Sequence, residues 1–166
     1  MKKTSLLIAG LAAAPASAAS ISITIPRLNV AEYHRPYVAA WVEPAGGGAA
    51  RTLFVWYDVD LRGAEPGTKW LSDLRTWWRK GGRSLKLPAD GVSGATRAPG
   101  THKVALPADL KPGQYTLYVE AARETGGREI VSMPLTVPVA GGSASGKAEL
   151  GAITLSARSK GSFPCA

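Results

Sequence analysis

Apolar residues in this chain recur at every second position over short stretches, and proline or glycine closes each stretch. Ile21, Ile23 and Ile25 alternate with Ser22 and Thr24, and Pro26 follows. A period of two belongs to a β-strand with one buried face, because successive side chains point to opposite sides of the strand. Residues 37–43 and 52–57 form two further apolar runs, separated by Pro44 and Gly46-Gly47-Gly48, and are expected to pair as a hairpin with a glycine-rich tip. Over 114–121, Tyr115, Leu117 and Val119 alternate with polar partners; Gly126-Gly127 marks a tight turn and 129–137 is the returning strand. A Gly-Ser-Ala stretch over 141–146 is expected to be a flexible loop, and 152–155 a last strand. Many short strands joined by Gly/Pro turns predict an all-β fold, an immunoglobulin-like antiparallel β-sandwich.

One segment breaks the rhythm. Trp70, Leu71, Leu74, Trp77 and Trp78 fall at i, i+1, i+4, i+7 and i+8, one face of a helix. The spacing predicts a short inserted amphipathic helix over 70–79, capped by Thr68 and ended by Gly81-Gly82. Adjacent residues on a helix point apart, so one of Trp77 and Trp78 is expected in the core and the other partly exposed. Core packing outweighs a role for this pair in stacking on a flavin or sugar. Residues 83–99 show no strong periodicity and are expected to be a long polar connection, the kind of segment on which function tends to sit.

The first residues address the chain. Lys2 and Lys3, an apolar run over 5–14, and Ala16-Ser17-Ala18 form the three parts of a secretory signal. Residues 1–18 are expected to be a signal peptide, leaving a single β-sandwich domain over 19–166 in a bacterial periplasm. Lys-Lys rather than Arg-Arg points to the general secretory route. The apolar run is too short for a permanent span. The formal charge of +8 falls to +6 without Lys2 and Lys3. The basic residues are scattered rather than blocked, and with export this argues against a nucleic-acid role. Cys165 is the only cysteine, which excludes an intramolecular disulfide, a zinc finger and an iron–sulfur cluster.

Within the polar connection stands Asp90-Gly91-Val92-Ser93-Gly94-Ala95-Thr96. Gly94 and Ala95 would let another molecule approach the backbone, and Thr96 offers a hydroxyl for modification. A turn with a purely conformational role accounts for the same residues. The string resembles the attachment motif of proteins that receive FMN from a periplasmic flavin transferase: Asp, two variable residues, Ser or Thr, then Gly-Ala-Thr. Asp90, Ser93, Gly94, Ala95 and Thr96 match it position by position, and Arg97-Ala98-Pro99-Gly100 follows. The resemblance implies FMN joined to the Thr96 oxygen through a phosphoester, with FAD as donor and a magnesium-using transferase as partner.

A broader resemblance spans nearly all of the expected mature chain. Tyr33-His34-Arg35-Pro36-Tyr37-Val38-Ala39, Trp41-Val42-Glu43, Lys69-Trp70-Leu71 through Trp77-Trp78, Asp90 to Gly100, and Pro112-Gly113-Gln114-Tyr115-Thr116-Leu117 through Ala122-Arg123-Glu124 are similar to the periplasmic proteins of domain-of-unknown-function family 2271. The later part resembles the immunoglobulin-like domain of flagellar hook-capping proteins. Members look like companions of flavin transferases and of PepSY-type membrane proteins, which implies an extracytoplasmic redox or iron-related setting and a PepSY-type membrane reductase as a possible partner.

No Gly-x-Ser-x-Gly elbow, His-Glu-x-x-His or P-loop occurs, so enzyme activity of the chain's own is not expected. No metal site is expected from His34 and His102, the only histidines; His102 closely follows the motif and would lie near a flavin there. Arg79, Lys80, Arg83, Lys86 and Arg97 bracket the motif as a solvated basic face or as phosphate partners. Asp58 and Asp60 are read as surface residues. Two functions are open: a redox and electron-carrier component holding covalent FMN at Thr96, or a non-catalytic binding or adaptor module of a periplasmic assembly or iron-related system.

Overall fold

The computed structural model describes residues 18–158 apart from Ala64. The expected leader, Ala18 excepted, and Cys165 lie outside the described residues. Among those residues the strands are β1 Ser20–Ile25, β2 Tyr37–Pro44, β3 Arg51–Tyr57, β4 Ser93–Ala95, β5 Gly100–Ala105, β6 Gly113–Ala122, β7 Arg128–Val137, β8 Gly142–Ser145 and β9 Ala152–Ser156. They form two sheets, ordered β5-β1-β9-β8 and β4-β3-β2-β6-β7. This is the expected β-sandwich. Its pairs are antiparallel except β3 with β4, which run parallel. The glycine stretch expected to be a loop instead pairs as β8 with β9.

The alternating residues close the space between the sheets. Ile21, Ile23 and Ile25 of β1 meet Val38, Ala40 and Val42 of β2 and Leu117, Val119 and Ala121 of β6 in one cluster. The five-stranded sheet has a second buried face. There Tyr37, Ala39 and Trp41 of β2 pack with Val55 and Tyr57 of β3 and with Leu71, Leu74 and Trp77. Burial on both sides explains why residues 37–42 read as a continuous apolar run, the pattern of a strand covered on each face.

The covering layer follows from the parallel pair. Two parallel strands need a crossover of a dozen or more residues, which usually contains a helix. Here the crossover runs from β3 to β4. It contains a 3₁₀ segment, Gly67–Asp73, the helix α1, Arg75–Lys80, and a 3₁₀ turn, Gly82–Ser84. The expected single helix over 70–79 is therefore divided at Leu74. Leu71 in the 3₁₀ segment, Leu74 at the break and Trp77 in α1 are all buried. Trp70 leaves that face and is 42% exposed. Thr68 does not cap; Pro66 precedes the segment without a side-chain cap. Gly81-Gly82 ends α1 as expected: Gly81 has φ of 148°, and a Cβ on Gly82 would meet the Trp77 ring at 2.7 Å. Trp77 is buried, and Trp78 packs on the same cluster half-buried.

A buried carboxylate fixes where α1 begins. Glu120 of β6 is 0% exposed. Its oxygens accept the Thr76 N–H at 3.1 Å, the Trp77 N–H at 2.8 Å and the Arg128 guanidinium at 2.6 Å. Orphan N–H groups of a helix start are satisfied by an anion where the helix dipole favours one. The Trp77 indole N–H also donates to Thr52 Oγ1 at 3.0 Å, tying the helix to β3.

Candidate functional site

The register of the parallel pair builds the site. Val55, Trp56 and Tyr57 of β3 lie beside Ser93, Gly94 and Ala95 of β4. One step further along each strand stand Asp58 and Thr96, at the carboxyl ends of the two strands. The Thr96 hydroxyl donates a long hydrogen bond to Asp58 Oδ1, at 3.3 Å. The Tyr37 hydroxyl donates to the Gly67 carbonyl at 3.1 Å, with Asp58 Oδ2 as a second acceptor at 3.4 Å. Burial, with the Asp58 charge, pushes the Tyr37 phenol up to about 12, so it stays a proton donor across the physiological range. Gly67 belongs to the same arrangement, since a Cβ there would run into the Asp58 carbonyl.

The motif residues have separate tasks. Ser93 Oγ accepts the Ala89 N–H at 2.9 Å and closes the turn that enters β4. Gly91, at φ of 70°, supplies the left-handed step of that turn. Gly94 is small because Trp56 lies against it: a Cβ would come within 3.1 Å of the indole. Close packing on Trp56, rather than open approach, thus explains that glycine. Asp90 is exposed in the turn and does not bond Thr96; the carboxylate beside Thr96 is Asp58. Thr96 itself is half-buried. The expected long connection over 83–99 is thus in part an ordered edge strand.

Thr96 stands on the rim of a cleft of 350 Å³. Tyr33, Tyr37, Leu61 and Trp70 supply its apolar walls, Arg35, Arg123, Asp58, Asp73 and Glu124 its charges, and His34 an imidazole. Volumes of this size suit a small molecule. Arg123 is held by a buried two-bond pair with Glu149, at 3.0 and 3.1 Å. His34 lies between Glu32 at 3.1 Å and Glu124 at 3.6 Å. Arg35 has no carboxylate within salt-bridge distance among the described residues. It also lines a shallow depression with Asp58, Asp60, Ala95 and Thr96.

The two histidines have different surroundings. His34 lines the cleft, whereas His102 donates from Nε2 to the Ala98 carbonyl at 2.7 Å and packs edge-on against Trp56. Of the basic residues expected near the motif, Arg97 lies over the Trp56 ring at 5.3 Å, and Lys80 pairs with Glu43 at 3.0 Å. Arg35, Asp58 and Trp70 are the cleft residues that the reading of the motif alone does not reach. Among the described residues no group of three or more His, Cys, Asp or Glu gathers as a metal site. No helix among them is long and apolar enough to cross a membrane.

Comparison with curated proteins and with solved structures gave no match. A family model described as "Predicted periplasmic protein (DUF2271)" matches residues 18–152, a stretch that contains the five-stranded sheet, the four-stranded sheet up to the first residue of β9, the crossover, Thr96 and the cleft: the chain belongs to the DUF2271 family of periplasmic proteins.

Proposed function

We propose that this protein is a periplasmic electron carrier whose FMN is attached to Thr96. The observation that supports this most is the position of Thr96: a partly accessible hydroxyl, just past the end of an edge strand, on the rim of a cleft sized for a small molecule. The residues present fit a phosphodiester there. Thr96 offers the oxygen, Asp58 orients it, and Arg35 offers a guanidinium suited to phosphate. Ser93 is the other hydroxyl of the motif, but its oxygen is used by the turn.

In the attachment reaction a flavin transferase brings FAD to this rim. The Thr96 oxygen forms a bond to the phosphorus of the FMN half. The bond from that phosphorus to the AMP oxygen breaks, and AMP leaves with the electron pair. The hydroxyl proton passes to a base, for which Asp58 Oδ1 is the nearest acceptor in this chain. The attached flavin supplies reversible electron transfer, while the sandwich supplies position and electrostatics. A PepSY-type membrane reductase is the proposed electron donor.

The test is expression in an exporting host with a flavin transferase proven on another acceptor. Intact mass should rise by one FMN less one water, and Thr96→Val should abolish the gain while leaving the fold unchanged by circular dichroism. An unmodified wild-type protein under those conditions would overturn the proposal and favour an adaptor role.

A further inference from the structure

Two of the four large apolar side chains left exposed among the described residues, Leu61 and Trp70, line the cleft beside Thr96. A single exposed apolar residue needs no explanation, but exposed apolar residues gathered around a concave surface mark a ligand site. The Lys69 ammonium lies over the Trp70 ring at 4.7 Å. Tyr33 and Tyr37 add aromatic surface, and Arg35 borders both the cleft and the depression that contains Thr96.

We infer that this cleft is the berth of the flavin ring, with Trp70 as its aromatic contact and Arg35 as the partner of the phosphodiester; this rests on attachment at Thr96. A flat heterocycle with an apolar benzenoid end and a polar pyrimidine edge suits walls that mix aromatic and charged side chains. Aromatic side chains favour offset or edge contacts with such a ring, and a guanidinium pairs with phosphate oxygens in a bidentate manner. Asp58, Asp73 and Glu124 are the carboxylates of this lining; Asp58 is the one bonded to Thr96, and Arg35 answers its charge. The tether and the cleft share a rim, so docking the ring requires no movement of the sheets. A docked ring would be shielded from water on the side facing the cleft, and it would quench against Trp70.

The proposal is tested on the full chain, first shown by intact mass to carry FMN. Flavin emission in the folded protein should be severalfold weaker than in the same sample unfolded in guanidinium. Trp70→Ala, a change at an exposed side chain, should recover much of that emission and weaken the visible circular dichroism of the flavin without reducing the mass gain. Arg35→Ala should weaken the same dichroism. A fully modified protein whose flavin emission is equal folded and unfolded, and is unaffected by Trp70→Ala, would overturn the berth while leaving attachment intact. If no FMN is attached, the cleft is probed with free riboflavin. Attachment is then already overturned; quenching of riboflavin emission by the wild type but not by Trp70→Ala would support the cleft as a berth for a flavin that is not attached, and absence of quenching would overturn the berth as well.

Discussion

Between the two sheets, Ile21, Ile23, Leu117 and Ile153 meet hydrocarbon with hydrocarbon. On the outer face of the five-stranded sheet, the crossover buries Leu71, Leu74 and Trp77 equally deeply, but polar bonds of long sequence separation fasten it. Glu120 holds the start of α1, Thr52 holds the Trp77 indole, and the Gly67 carbonyl takes the Tyr37 hydroxyl. Apolar burial is non-directional and tolerates small shifts. Hydrogen bonds fix distance and angle, and the layer that needs them is the one that shapes the cleft and places Thr96. Both layers bury a core, and the crossover layer also gives the site a fixed geometry.

The largest expected effect treats the crossover as a second core. Trp77→Ala should cost about 3–5 kcal/mol, the range for truncating a buried aromatic, measured by chemical denaturation. A loss below about 0.5 kcal/mol, the size of ordinary surface effects, would break the comparison by showing the layer to be loosely applied. Next in size is the carboxylate beneath it. Glu120→Ala leaves the N–H groups of Thr76 and Trp77 without their acceptor, and unmade buried bonds cost about 1–3 kcal/mol each. About 2–3 kcal/mol is expected, with hydrogen exchange accelerated in 75–80 more than in β1. Uniform acceleration in both regions would show that Glu120 serves the whole fold rather than the crossover.

The smallest effect concerns the sandwich rim and sharpens the contrast. Glu129 accepts N–H bonds from Lys147 at 2.6 Å, Ala148 at 3.0 Å and Leu150 at 2.9 Å. Burial works to raise its carboxyl, but these backbone donors outweigh burial and hold it below the ordinary glutamate value of 4.5. A depressed folded value stabilises the fold fully above the unfolded pKa, and the benefit is lost as pH falls through the folded one. Glu129→Gln should therefore lower stability at neutral pH and converge with the wild type in acid. A constant difference at all pH values would show that its charge state has no part in stability.

Sequence reading served these regions unequally. β1, β2, β3, β6, β7 and β9 carry enough apolar or aromatic side chains to announce themselves. The strands it missed or misread are sheet edges. Gly142-Ser143-Ala144-Ser145 and Ser93-Gly94-Ala95 have almost no apolar side chain, and Gly100–Ala105 has every residue exposed or half-buried. Such segments become strands because a neighbour offers backbone partners, and strand propensity follows context in this way. The cleft was hidden for a related reason. Asp58 meets Thr96 only through the parallel register of β3 and β4, and nothing in Ser93-Gly94-Ala95 signals that pairing. Trp70 leaves the core face because a 3₁₀ segment forms where the spacing predicts a helix of 3.6 residues per turn. The apolar faces of Leu71, Leu74 and Trp77 are legible in the sequence.

The most direct test of the proposed site is to ask which residue of transferase-treated protein carries FMN. Trypsin releases residues 87–97, which contain both Ser93 and Thr96, and tandem mass spectrometry of that peptide from transferase-treated protein distinguishes the two. Ser93 Oγ is engaged by the Ala89 N–H, whereas Thr96 stands at the cleft rim. FMN found on Thr96 with Ser93 unmodified is the predicted result; FMN on Ser93, or on any residue outside this peptide, would contradict it.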